Sequence, residues 1–181
     1  MLIDLLRNDA NINQFFCNAC TENNISIEID NTIDRQNLII IKVDSYYNTL
    51  VQPQPKSPDC LIIQRCSDNV YSVYIVELRN IDSPDGFKVE EITTKFITCL
   101  DDFMSNRFAE YFHNPQLIFR KIHLIFVSDP YNFKSVPIRQ EKITGYKLDI
   151  LLSQRIPKFF GKHLYIDHKL PNPKINNCHQ A

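Results

Sequence analysis

The stretch from Pro58 to Arg79 leaves the fewest choices for how this chain folds. Leu61, Ile62 and Ile63 form one apolar run, Val70 to Val76 form another, and the polar triplet Ser67-Asp68-Asn69 separates them. Two short apolar runs around turn-forming residues read as the strands of a hairpin. Asp59 precedes the first strand, Glu77 lies near the end of the second, and Arg79 follows two residues later. Side chains alternate between faces along a strand, so Val73, Ile75, Glu77 and Arg79 share one. A carboxylate in such a row is costly to bury unless a cation pairs with it or a metal binds it. That cost directs the search for chemistry to Asp59 and Glu77.

Pro58-Asp59 and Glu77-Leu78-Arg79, with seventeen residues between the two acids, resemble the signature of the PD-(D/E)XK nuclease superfamily. That signature is Pro-Asp, a spacer, an acidic residue, any residue and Lys; here Arg79 stands in place of the Lys. The resemblance implies an α/β fold with a restriction-endonuclease-like core, a mixed central sheet flanked by helices in the order α-β-β-β-α-β. It implies Mg2+ or Mn2+ held by Asp59 and Glu77, with the backbone carbonyl of Leu78 and a first-helix carboxylate, Glu22, as further ligands. In some members the motif lysine has moved to the helix after the strand, which makes Lys95 the natural substitute for Arg79. The implied activity is hydrolysis of phosphodiester bonds by a metal-dependent endonuclease. The substrate expected is duplex DNA, as for restriction, homing or defence enzymes, which usually cut as homodimers. Two alternatives stand beside it. One is a catalytically inactive nuclease-like subunit that binds nucleic acid or protein. The other is a viral cap-snatching RNA endonuclease, although the upstream His usual in that group is missing, since no His precedes His113.

The exchange of Lys for Arg separates two roles. Arginine is effectively never deprotonated, so Arg79 cannot act as a general base, but it can clamp a phosphate oxygen through two hydrogen bonds. If the cation serves as a charge, Arg79 suffices; if it activates water, Lys95 or a metal-bound water takes over.

A chain of 181 residues, 44% hydrophobic and 23% charged, is long enough for one domain with its own core. Residues 1–170 read as that domain and 171–181 as a loose tail. No apolar run approaches the roughly 20 residues needed to span a bilayer, and the first residues lack the pattern of a signal peptide. The expected location is therefore the cytoplasm, with the six cysteines reduced. The net charge of −1 points to no polyanion, but its distribution does. Residues 134–181 hold nine Lys and Arg against three acids, whereas the first 133 hold eleven against eighteen. An acidic part suited to a metal and a basic third suited to phosphates follow from that segregation.

Along the chain, residues 1–22 are expected to form a helix capped near Asp9, with Ile12, Phe15, Phe16 and Ala19 on its apolar face. Cys17 and Cys20 have zinc-type spacing but no second pair beside them, and they read as packing residues. Residues 25–30 and 38–43 read as strands, and the Pro-rich segment 45–58, which includes Lys56, as a loop. Val89, Ile92, Phe96, Leu100, Phe103 and Met104 recur at helical spacing, which predicts one long helix over 87–112. Residues 121–128 predict a buried strand parallel to the motif strand, with His123 as a core histidine. Residues 139–154 predict a helix, and 159–166 a turn and a final strand.

Overall fold

The two apolar runs between residues 58 and 79 form the hairpin they predict. The computed structural model describes residues 1–50, 53–81, 83, 86–131 and 147–178. Two short helices come first, α1 (Leu2–Asn8) and α2 (Ala10–Asn13), followed by the small strands β1 (Thr21–Glu22), β2 (Ile25–Ser26) and β3 (Glu28–Ile29). β4 (Leu38–Lys42) leads through α3 (Val43–Asn48) to the hairpin of β5 (Cys60–Ser67) and β6 (Val70–Arg79). The helix α4 (Val89–Ile97) widens into a π-helical segment, Thr98–Arg107, before α5 (Ala109–Phe112) and β7 (Ile118–Ser128). After α6 (Lys147–Leu152) come β8 (Ile156–Phe159), β9 (Lys162–Leu164), β10 (Ile166–Lys169) and β11 (Lys174–Ile175).

Five strands build the central sheet in the order β10-β7-β6-β5-β4. β4, β5 and β6 run antiparallel, and β6, β7 and β10 run parallel, so the sheet is mixed. β6 and β7 are parallel because α4 and the helical turns after it carry the chain back to the start of the sheet. The result is a mixed α/β architecture, with the hairpin strands at its middle.

Each face of the sheet buries its own apolar cluster. On one, Leu61, Ile63, Val73 and Ile75 pack with Leu2, Leu6, Ile92, Phe96 and Phe103 from the helices. On the other, Ile62, Val76 and Leu78 meet Ile25, Ile27 and Ile175 from the small strands. The long helix keeps its predicted face, for Ile92, Phe96, Leu100, Phe103 and Met104 are all buried. Its second half departs from α geometry: Phe108 N–H reaches the carbonyl of Phe103, five residues back.

The N-terminal segment differs from its expectation. The helix predicted over 1–22 stops and restarts at Asp9, whose carboxylate accepts Asn11 N–H, and ends after Asn13. Residues 15–17 lie along the open edge of β4 instead. Cys17 N–H donates to Ile40 O, Lys42 N–H donates to Phe15 O, and Phe16 bridges Ile41. An unpaired strand edge offers a row of backbone partners, and here it outweighs the helical pattern. Glu22 therefore sits on β1 and not on a helix. Near the other end, the hairpin of β8 and β9 turns on Phe160 and Gly161, both at positive φ, as a two-residue turn requires. The last strand of the sheet comes later than expected, as β10. Of the helix expected over 139–154, residues 139–146 lie outside the described residues; α6 occupies part of the rest.

Two further expectations are corrected. Cys20 bonds to Cys60 and Cys66 to Cys178, so four of the six cysteines are oxidised and only Cys17 and Cys99 are free. Nor is the tail loose as far as Cys178: β11 pairs in parallel with β3, and Cys178 is bonded to β5. Both bonds join positions far apart in sequence, which no local spacing reveals. Cutting the Cys66–Cys178 link, which spans 112 residues, frees a large loop in the unfolded chain. A Cys66→Ser, Cys178→Ser protein is expected to lose about 2–5 kcal/mol of stability, read as a lower urea midpoint than wild type without reductant. Equal midpoints would show that the bond does not form in solution. No helix among the described residues is long and apolar enough to cross a membrane.

Candidate functional site

Pairing between β5 and β6 places Cys60 opposite Val76 and Leu61 opposite Ile75. One step further in the same register sets Asp59 across from Glu77, on the face where Leu61 and Ile75 point toward the helices. Both acids are removed from water: Asp59 is 5% exposed and Glu77 0%. The spacing of eighteen positions thus becomes a cross-strand neighbour relation at one end of the hairpin.

The two carboxylates are satisfied unequally. Asp59 Oδ2 accepts the backbone N–H of Leu78 at 2.6 Å. Glu77 Oε1 accepts from Lys95 Nζ at 2.7 Å and from Arg79 Nε at 2.8 Å. Glu77 Oε2 is buried with no hydrogen-bond partner among the described residues. A carboxylate oxygen left so in a protein interior costs the full loss of its hydration.

The electrostatics follow from that geometry. Burial, then the Glu77 carboxylate and a hydrogen bond toward Glu22, push the Asp59 carboxyl up to about 8. Burial also raises Glu77, although Lys95 and Arg79 both pull it back down. The two acids hold more negative charge than their surroundings balance, and they meet it by keeping a proton or by taking a cation.

The sequence-derived residues converge. Asp59, Glu77, Arg79 and Lys95 form one connected cluster, with Lys95 reaching down from α4. Glu22, on β1 beside β6, is near enough to act on Asp59, but from a strand and not from the expected helix. Leu78 enters through its amide, which holds Asp59 in place.

Two charged residues extend the cluster. Arg79 Nη2 reaches Glu91 Oε1 at 3.4 Å, and Glu91 Oε2 meets Lys56 at 3.5 Å. Lys56 comes from the Pro-rich segment that leads into Asp59. Glu91 was missed, and a signal for it existed: it stands one helical turn before Lys95, on the same side of α4. His123 is half-buried and stacks on Tyr74, and burial lowers its pKa. Cys17 and Cys20 form no pair, because Cys20 is bonded to Cys60.

Among the described residues, no group of three or more His, Cys, Asp and Glu side chains is arranged to hold a metal ion. Comparison of the chain with family models, with curated proteins and with solved structures finds no match.

Proposed function

We infer that the chain is a nuclease-like protein of the PD-(D/E)XK class and, within that class, a metal-dependent endonuclease that hydrolyses phosphodiester bonds in DNA. One observation carries the reading: Glu77 Oε2 is buried and unpartnered beside Asp59, a carboxyl that burial and its acidic neighbours drive toward protonation. Two oxygen donors with surplus negative charge suit a hard divalent cation such as Mg2+ or Mn2+. Asp59 and Glu77 would hold it, with Glu22 and the Leu78 carbonyl as further oxygen donors. Such an ion lowers the pKa of bound water and offsets charge on the reacting phosphate. The arrangement of strands around the hairpin, antiparallel before it and parallel after, agrees with the order this class uses.

The chain's own residues set up the rest. Leu78 N–H fixes the Asp59 carboxylate, and Lys95 with Arg79 fixes one oxygen of Glu77, leaving the other buried and unpaired. Lys95 is the cation able to exchange a proton with water; Arg79 is restricted to binding charge. Lys56 extends the positive side toward the loop before Asp59, where a phosphate backbone would approach.

Supercoiled plasmid incubated with Mg2+ or Mn2+ tests the reading. Wild-type protein is expected to nick or linearise it, and Asp59→Ala and Glu77→Ala each to slow cleavage by about 10²-fold or more. A wild type that cuts nothing with either ion would favour the second reading, a subunit that keeps this architecture to bind nucleic acid or protein. Two observations lean that way: Arg replaces the motif Lys, and both nearby cations are already engaged by Glu77. The two disulfides also fit an oxidising compartment better than the cytoplasm.

A further inference from the structure

The outer edge of β4 is covered along only part of its length. Cys17 N–H donates to Ile40 O and Lys42 N–H to Phe15 O, so residues 15–17 pair with the second half of the strand. Beside the first half lies a cleft of about 420 Å³, with Leu38 and Ile39 at its base and Phe16 and Asn18 on one side. Arg7, from α1, and Arg35, from the short 3₁₀ turn Arg35–Asn37, also line it, and no acid does.

The two guanidinium groups differ in how they are held. Arg7 is anchored: its Nη2 donates to Arg35 O at 2.9 Å and to Leu38 O at 3.3 Å. Both acceptors are neutral carbonyls, and its Nε and Nη1 have no partner among the described residues. Arg35 is exposed, and its side chain makes no hydrogen bond or ion pair among the described residues. The acids on the same two elements are engaged elsewhere. Asp4 pairs with Arg65 at 2.6 Å, and Asp34 accepts Gln36 N–H at 2.8 Å. A guanidinium already fixed by backbone carbonyls loses less freedom when a ligand arrives.

We propose that this cleft binds a phosphate group, held between Arg7 and Arg35, on a small ester whose organic part rests against Phe16. Arginine presents its donors as a rigid fork that fits two phosphate oxygens at once. A phosphate monoester is close to a dianion at neutral pH, and two guanidinium charges balance it. The exposed carboxamide of Asn18 adds a neutral donor on the wall. The volume falls within the ~300–1,000 Å³ of small-molecule sites. The phosphodiester backbone of a nucleic acid presents the same oxygens and is separated from a small ester by the test. Asp59 lies at the far end of β4, where its carbonyl accepts Val43 N–H, and Glu77 lies two strands further in. The site therefore does not depend on the nuclease reading.

Calorimetric titration of the full chain at pH 7.5, disulfides intact and without divalent ions, tests it with four probes. These are phenyl phosphate, inorganic phosphate, benzoate, and a single-stranded octanucleotide without terminal phosphates. Phenyl phosphate is expected to bind at least about tenfold more tightly than benzoate, which offers one charge and two oxygens. Arg35→Glu is expected to weaken that binding at least about tenfold. It should leave the thermal transition in place, because Arg7 holds the carbonyl of Arg35 and not its side chain. Arg7→Lys, which keeps the charge and loses the fork, is expected to weaken it as well. Glu77→Ala is expected to bind the probes as wild type does. Tighter binding of phenyl phosphate than of the octanucleotide assigns the site to small esters. The reverse order, with the same dependence on Arg35, assigns it to a nucleic-acid backbone; either upholds phosphate binding in the cleft. No binding of either probe, benzoate binding as tightly as phenyl phosphate, equal binding by Arg35→Glu, or loss of binding in Glu77→Ala overturns it.

Discussion

Lys95→Met is expected to lower the stability of the protein by about 2–3 kcal/mol, because it removes the closer of the two cations that make a buried Glu77 tolerable. Glu77 is fully buried, Lys95 is 14% exposed, and their contact is 2.7 Å, so little solvent screens the pair. Arg79, 31% exposed and shared with Glu91, would remain as the sole cation on Oε1. Without Lys95, Glu77 rises further above the usual carboxylate range and takes up a proton as the pH falls, instead of keeping its charge. Urea titrations of Lys95→Met, Glu77→Gln and the double variant measure the coupling. The double variant should lose less than the sum of the singles by at least about 1 kcal/mol. Strict additivity would mean that the two side chains do not pair in solution, and Lys95 would leave the proposed site with them.

Asp59→Asn, by contrast, is expected to stabilise the metal-free protein near pH 8. The folded-state pKa of Asp59, about 8, lies above its value of 3.8 in the unfolded chain, so folding takes up a proton between those limits. Stability from this group is complete below about pH 4 and is lost as the pH rises through about 8. The amide of Asn keeps a neutral, hydrogen-bonding side chain at the site and removes that loss. A gain of about 2 kcal/mol near pH 8, or roughly 4–8 °C in Tm, is the expected size. The difference between variant and wild type should shrink steadily toward pH 4. A wild-type Tm that tracks the Asn variant at every pH would show that Asp59 ionises as easily folded as unfolded. Divalent ions should narrow the gap at pH 8 by stabilising wild type and not the variant, since binding to the native state adds to its stability.

Where the pattern is local, the sequence was legible. The apolar runs at 61–63 and 70–76 around a polar turn set the hairpin, and the two-residue repeat of a strand put Glu77 on the face of Val73 and Ile75. The three- and four-residue spacing of Ile92, Phe96, Leu100 and Phe103 set the buried face of the long helix, and with it the side from which Lys95 descends. Helical spacing at 12–19 misled, because residues 15–17 found stronger partners on the edge of β4 than a further turn of helix offered. The basic third of the chain was visible as a count. That Lys169 and Lys174 join Arg120 and Lys121, from the acidic part, around one cavity was not.

Sequence alone decided which strands form, which way their side chains face, and that two acids would meet where β5 begins and β6 ends. These depend on residues a few positions apart, whose contacts follow from the repeat of a strand or a helix. Tertiary structure alone decided that Cys20 joins Cys60 and Cys66 joins Cys178, that Ser26 N–H donates to Asn172 Oδ1, and that Glu77 Oε2 is left unpaired. Those partners are separated by 40, 112 and 146 positions, and no periodicity reaches that far. They are settled only when the sheet closes and both of its faces are packed, because burial then fixes which groups must find each other.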